Sequence, residues 1–319
     1  MKKIAILTSG GDAPGMNACI RALVMAGEDS GMSVYGAVRG YQGVIDNDFV
    51  KLGLSDVENI IQLGGTILKT SRCNEFLTPE GFKKAVENIK KNKFDSVVIL
   101  GGDGSFRGAK ELKDANINTI VIPCTIDNDL GYTDYTIGFD SAINTITDLL
   151  NNVRETSNAH ERVCVVEVMG RECGDIALHS GLAAGAEVVL VPEVKLTDEQ
   201  FKQKLELSVN RGQKCAIVVV AEGVATAEKI AKKIKKLVGV NAKTLDVSYI
   251  QRGGSPSVCD RVLATKMGAR AIELVSNKNY GVAIATIGGK ITEITIEEAI
   301  SKKDKFDYDA YKINHSLSI

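Results

Sequence analysis

Two apolar runs in this chain each end on a glycine-rich loop and then give way to helical spacing. No other feature narrows the fold as much. KIAIL (3–7) runs into TSGGDAPG, after which Met16, Ile20, Leu23, Val24 and Gly27 fall at helical intervals. FDSVVIL (94–100) runs into GGDGS, and GSFRGAKELKDA follows with Phe106 and Leu112 among its apolar positions. SVYGAV reads as a further strand, and NTIVIP (118–123) as another that Pro123 is expected to stop. The rhythm restarts after residue 138. A helical stretch from Ser141 to Val153 precedes VCVVEVM (163–169), and GRECGDIALHSGLAAG opens another helix. EVVLVPE (187–193), CAIVVVAEG (215–223) and GVAIATIGG (281–289) are predicted strands, with ELSVNRGQK supplying a turn before the second. Strand, loop and helix in this order predict an α/β protein of two units, with mostly parallel sheets covered by helices. Ligands in open sheets of this kind bind beyond the carboxyl ends of strands, where both glycine loops fall. No composition break marks a flexible linker. KIAKKIKKLVG (229–239) is expected to be a surface helix with a solvated lysine face, effector or membrane binding being the minor alternative.

Charge and composition exclude several classes. Among 319 residues, 39 basic and 40 acidic side chains leave a formal net charge of −1, which predicts no nucleic-acid footprint. No run of 18 apolar residues occurs, so no membrane span is predicted. The apolar start of MKKIAILTSGG is cut short by Gly10 and Gly11, which argues against a signal peptide. Seven scattered cysteines (19, 73, 124, 164, 173, 215 and 259) without a CxxC pair read as reduced thiols, and a cytoplasmic protein is expected. No HxxxH or Cys/His spacing supports zinc.

Three segments could carry chemistry. In TSGGDAPGMN (8–17) the glycines let backbone N–H groups turn inward at a helix start, where phosphate oxygens bind. Asp12 would oppose an anion unless it points away, caps a turn or works through a metal. The segment is neither a Walker A loop nor a GxGxxG dinucleotide fingerprint, which argues against an NAD-binding protein. GGDGS (101–105) repeats the arrangement, and Asp103 either caps its own turn or bridges a divalent cation to phosphate. TIDND places Asp127 and Asp129 two apart just after a strand, beside Thr125 and Asn128. Such a pair suits a polar loop of Asx turns, a bound cation, or a base with a raised pKa for phosphoryl transfer. Arg72, Arg162, Arg171 and Arg252 are candidate phosphate forks, each also suited to a surface ion pair. Cys124 has no local histidine to activate it and is expected to pack as a small residue.

Taken jointly, TSGGDAPGMN, GGTIL, GGDGS, TIDND, GFDSA, VxEVMGR, AEG and QRGGSPSVCDR closely resemble the bacterial ATP-dependent 6-phosphofructokinases, over almost the full chain. The resemblance implies two similar three-layer α/β/α domains with the active site in the cleft between them. A larger domain of residues 1–138 plus 251–303 would bind ATP and Mg²⁺, and a smaller one of 139–250 plus 304–319 the sugar phosphate. The implied reaction moves the γ-phosphoryl of MgATP to the 1-hydroxyl of fructose 6-phosphate, a step of glycolysis, in a homotetramer. Gly11, Gly102, Gly104 and Ser105 would hold nucleotide phosphates, Arg72 would reach the transferring groups, and Cys73 and Phe76 would lie near the nucleotide. Asp103, assisted by Asp129, would be tied to Mg²⁺. Thr125 would stabilise the moving phosphoryl and Asp127 would be the base. Met169, Gly170, Arg171, Glu222 and Arg252 would surround the sugar phosphate, with Arg162 entering a neighbouring subunit's site.

Departures from the family sharpen the expectations. Lys243 and Tyr249 stand where the family has a sugar-phosphate-binding arginine and histidine. Altered affinity, a related ketohexose such as tagatose 6-phosphate, or a silent regulatory subunit are the alternatives they raise. Pyrophosphate-using relatives read GGDD and PK before TIDND; Gly104 here favours ATP, although Cys124 matches neither pattern. Arg21, Arg154, Glu187, Arg211 and Lys214 match a family effector site for ADP or phosphoenolpyruvate, with Glu187 linked to a nucleotide's Mg²⁺. Met25, Leu54 and Gln213 replace its cations, which predicts blunted regulation.

Overall fold

A computed structural model describes residues 1–210, 215–302 and 305–317. Among these the strands are β1 (Lys3–Ser9), β2 (Ser33–Ala37), β3 (Phe49–Leu52), β4 (Ser96–Gly101), β5 (Thr119–Thr125), β6 (Ile137–Gly138), β7 (Val163–Val168), β8 (Val188–Leu190), β9 (Ala216–Ala221), β10 (Ala242–Asp246), β11 (Val282–Ile287) and β12 (Lys290–Thr295). The chain divides into two compact units. The first comprises Met1–Ile126, Leu130–Ser141 and Arg252–Lys305, and the second Asp127–Asp129, Ala142–Gln251 and Phe306–Ile319.

The first unit carries a sheet in the order β12-β11-β5-β4-β1-β2-β3, with β6 paired to β5. Its interior strands are parallel and its two edges, β3 and β12, are antiparallel. β4 and β5 are buried at every position, as strands covered on both faces must be. That is why their sequences read as unbroken apolar runs. One face rests on a core that includes Leu7, Phe76, Val97, Ile99, Phe106 and Leu112. Along one contact, helix Met16–Asp29 approaches helix Val258–Ser276 so closely that a Cβ on Gly268 would lie 2.9 Å from the Cys19 carbonyl oxygen.

The second unit has a four-stranded parallel sheet, β10-β7-β9-β8. The two sheets are therefore alike in class but unequal in strand number. The core of the second unit forms from Val163, Val165, Val218, Val220, Phe201, Ile230 and Ile234. The lysine-rich segment is helix Ala227–Val238, capped by the Thr226 side chain and ended by Gly239 in the left-handed region. It buries Ala227, Ile230 and Ile234, with Lys229, Lys232, Lys235 and Lys236 exposed and Lys233 lying over the Phe201 ring.

Pro123 does not stop its strand. It pairs in register with Gly101, and β5 runs on to Thr125. The β11 ladder ends at Val121 and the β6 ladder begins at Cys124, so the missing N–H falls in the gap between them. Residues 127–129, just beyond Ile126, and Gln251 group with the second unit, and residues 139–141 and 305 with the first, the reverse of the bounds that the resemblance implied.

Asp260 ties several segments of the first unit together. It accepts hydrogen bonds from the backbone N–H groups of Gly138 (2.9 Å) and Ser141 (2.8 Å) and from the Ser141 hydroxyl. Burial nevertheless pushes its carboxyl up to about 6, the three donors only partly offsetting the cost of charge. The native state therefore holds a proton that the unfolded chain has already lost. Stability should fall as pH rises from about 4 through 6, by ~3 kcal/mol at most from this group. Urea midpoints across that range should show the decline, and Asp260→Asn should flatten it.

Candidate active site

The loops at the carboxyl ends of β1, β4 and β5 gather the candidate residues of the first unit. Gly10 has φ +87°, which favours glycine, and a Cβ on Gly11 would lie 2.3 Å from Nη1 of Arg252 in its present position. The same Nη1 donates to the Asp12 carbonyl at 3.1 Å. Arg252, expected around the sugar phosphate, thus braces the first glycine loop from within the first unit. Asn17 fastens the GGTIL segment, donating to the carbonyls of Leu63 and Gly64 and accepting from the Ile67 N–H.

GGDGS opens helix Asp103–Asp114 with Gly102 as N-cap. Ser105 is buried; its N–H bonds to the Gly102 carbonyl and its hydroxyl donates to the Ser9 carbonyl, joining the ends of β1 and β4. A Cβ on Gly102 would sit 3.4 Å from Thr125 Cβ, which places the Thr125 side chain against this loop. Gly104 is different: a Cβ there would meet nothing within 4 Å. Its neighbour Asp103 forms a 2.9 Å ion pair with Arg107, one helical turn on, with both side chains substantially exposed. Sequence reasoning did not single out Arg107.

Cys73 donates its thiol to Gln42 Oε1 at 3.3 Å, and burial raises its pKa. Arg72, beside it, is exposed and makes no ion pair with any described residue. Phe76 is a core residue: it is 3% exposed, its ring centroid lies 4.2 Å from that of Tyr41, and Phe82 packs on its edge. The Tyr41 hydroxyl in turn donates to the Ser105 carbonyl. Phe76 thus packs on the tyrosine that bonds this loop. Cys124 is buried, as a packing residue should be, and its thiol is pushed well up by burial.

The TIDND carboxylates belong to the second unit. Asp127 is 1% exposed, and its Oδ2 lies 3.3 Å from Nε of Arg171. Arg171 is half exposed and has φ +54°, an uncommon conformation for a residue with a side chain. Glu222 holds it there, with one carboxylate oxygen accepting from the N–H groups of both Gly170 (3.1 Å) and Arg171 (2.8 Å). Gly170, at φ +134°, and Gly223, where a Cβ would lie 2.2 Å from the Arg171 carbonyl oxygen, complete the turn. Met169 N–H donates to Oε1 of Gln251 at 3.0 Å. Asn128, at φ +53°, donates to the buried Asp175 carboxylate at 2.9 Å and so steadies the loop between the two aspartates. Gln251 and Asp175 were missed as supports because their partners lie 82 and 47 residues away.

A cavity of about 180 Å³ in the second unit is lined by Glu167, Val168, Met169, Glu222, Asp246, Ser248 and Tyr249. Lys243 is exposed on β10 and is not among its lining residues, whereas Tyr249 is 79% exposed at its rim. Arg162 is exposed immediately before β7. Of the expected effector residues, Arg154 and Glu187 come together at 2.8 Å. Arg154 also donates to the carbonyls of Ala184 and Gly185, and the other Glu187 oxygen accepts from the Ile217 N–H. Glu187 is thus buried and engaged on both oxygens. Arg21 lies in the first unit, where Met25 and Leu54 are exposed. Arg211, Gln213 and Lys214 lie outside the described residues.

Mostly parallel α/β sheets with glycine loops, helix N-termini and a buried carboxylate–arginine pair after the strands define a phosphate-handling class of protein. Comparison with known proteins narrows the class. A family model described as Phosphofructokinase matches residues 3–275. ATP-dependent 6-phosphofructokinase of Clostridioides difficile (strain 630) is 50% identical over 319 residues, covering all of both chains, and that of Alkaliphilus metalliredigens (strain QYMF) is 48% identical over the same span. Phosphofructokinase from Saccharomyces cerevisiae superposes with a TM-score of 0.88 at 32% identity over 94% of this chain; the match spans about 45% of the yeast chain. A pyrophosphate-dependent phosphofructokinase from Marinobacter aquaeolei shares the fold, with a TM-score of 0.86 at 21% identity over 97% of this chain and 86% of its own. The chain belongs to the phosphofructokinase family. Among its described residues no helix is long and apolar enough to cross a membrane.

Proposed function

We propose that this chain transfers the γ-phosphoryl of MgATP to the 1-hydroxyl of fructose 6-phosphate, yielding fructose 1,6-bisphosphate and ADP. The observation that carries this reading is the buried Asp127 carboxylate, oriented by Arg171 on a loop that Glu222 holds in place. Asp127 takes the proton of the sugar hydroxyl as it attacks. Arg171, close to that carboxylate yet half exposed, faces the negative charge of the transferring group. In the first unit, the Gly11 loop and the N-terminus of helix Asp103–Asp114 supply N–H groups for the nucleotide phosphates, with Gly102, Gly104 and Ser105 shaping the approach. Thr125 stands beside Gly102 at the end of β5, where its hydroxyl serves the moving phosphoryl. Arg72 and Arg252 add positive charge.

The residues fit a magnesium ion that arrives with the nucleotide. Mg²⁺ keeps several waters and takes one or two carboxylates plus substrate phosphates. Among the described residues no cluster of three or more acidic, histidine or cysteine side chains could hold a metal. Asp103, reachable at the start of its helix, offers one carboxylate and Asp129 is the candidate for another. When bound, the ion would neutralise charge on the phosphates.

ATP rather than pyrophosphate is the donor, because the space beside Gly104 is open. Steady-state assays of fructose 6-phosphate with each donor, with and without Mg²⁺, test this. Turnover should require ATP and Mg²⁺ together; efficient turnover with pyrophosphate would overturn the donor assignment. The wider reading is a cytoplasmic homotetramer in which the exposed Arg162 serves a neighbouring subunit's site. The engaged Arg154–Glu187 pair supports weak control by ADP or phosphoenolpyruvate, since an effector would have to displace contacts already made.

A further inference from the structure

We propose that Asp246 is a specificity-determining residue that weakens the hold of this enzyme on its phosphorylated sugar. The inference rests on the kinase reading above, with Met169, Glu222 and the Tyr249 position set around the sugar phosphate as the family resemblance implies. Asp246 of β10 stands in parallel register with Glu167 of β7. Register partners on neighbouring strands project to the same face, so the two carboxylates lie side by side. Both line the 180 Å³ cavity together with Glu222 and Tyr249, and none of its lining residues is a lysine or arginine.

Each carboxylate is held in place by backbone N–H groups. Glu222 is held by Gly170 and Arg171, Glu167 by Ala227 at 2.8 Å, and Asp246 by Ser248 at 2.9 Å. The Ser248 contact is an Asx turn, which fixes the exposed Asp246 carboxylate at the cavity rim. Crowding is visible at Glu167, whose carboxyl is raised by burial first and then by Asp246, Glu228 and Glu222. Glu167 and Glu222 also serve the architecture, the first holding the start of helix Ala227–Val238 and the second the Arg171 turn. Asp246 holds only the turn that follows its own strand. It is the carboxylate of the three whose charge bears mainly on the ligand.

A phosphate dianion held near Tyr249 at this rim feels the Asp246 charge through solvent. Partial screening leaves a repulsion of about three- to tenfold in affinity. The test uses the full-length chain with saturating MgATP and fructose 6-phosphate varied, comparing the unaltered enzyme with Asp246→Asn and Asp246→Glu. Asp246→Asn should lower KM about three- to tenfold, with the change in KM rather than kcat, and calorimetric titration of fructose 6-phosphate should tighten in the same proportion. Asp246→Glu, which keeps the charge, should stay near the unaltered KM. A KM for Asp246→Asn equal to or above that of the unaltered enzyme, or a matching fall for Asp246→Glu, overturns the proposal while leaving the kinase reading intact. No turnover of fructose 6-phosphate by the unaltered chain would instead sink the reading on which it rests.

Discussion

Asp127→Ser should fold normally, bind MgATP and fructose 6-phosphate, and lose about 10²- to 10⁴-fold in kcat, the usual contribution of a positioned general base. The side chain is buried next to Arg171 and lies two residues beyond the end of β5, outside its ladder. Serine is small enough to fit the same space. The proton acceptor is lost and the loop is kept. Because the interaction is made mainly as the hydroxyl loses its proton, the loss should fall on kcat and kcat/KM alike. Turnover within tenfold of the unaltered enzyme would remove Asp127 from the role of base. Unchanged ligand binding, by calorimetry, is the control that separates lost chemistry from lost structure.

The second large effect is expected at Gly104, where the fold leaves room and the chemistry does not. A side chain there meets nothing within 4 Å, so Gly104→Asp should fold with its stability nearly unaltered. Its carboxylate would stand at the helix start beside Asp103, where nucleotide phosphates are expected to bind. At a few ångströms, and at the effective dielectric of a protein surface, the repulsion is worth ~3 kcal/mol, or about 10²-fold in kcat/KM for ATP. Steady-state kinetics with ATP and with pyrophosphate decide the point. If ATP is used as well as before, the nucleotide does not pass over Gly104 and the donor argument fails.

The interior of both sheets was legible in the amino-acid order for a simple reason. Parallel strands covered on both faces are apolar throughout, and β1, β4, β5, β7 and β9 all announce themselves this way. Three of the edge strands do not. FVKL, AKTLD and KITEIT are half exposed and mix lysine with β-branched residues, so β3, β10 and β12 carry no comparable signal. Missing β10 also hid Asp246, whose meaning depends on lying next to Glu167. Pro123 misled in the other direction, because a proline breaks a strand only where a ladder needs its N–H.

Within the candidate site, residue types were readable and partnerships were not. The glycine loops stand out because backbone geometry favours their composition: Gly10 and Gly170 have positive φ, and a side chain at Gly170 collides with the Cys173 carbonyl. Phe76 carried no such mark. Nothing in its local sequence shows that its ring packs on Tyr41 in the core. Arg252 resembled a sugar-phosphate ligand, and its guanidinium rests on the first glycine loop.

By itself the sequence determined the α/β class, the two phosphate-suited loops and the presence of a paired-carboxylate motif, since these follow from local backbone requirements and from burial on two faces. Only the tertiary structure decided that Asp127 faces Arg171, that Glu222 holds the Arg171 turn, and that Asp246 shares a cavity with Glu167. Each of those pairings joins residues more than 40 positions apart, and their geometry depends on strand register and loop closure. Local sequence encodes the groups; the sheet decides which of them meet.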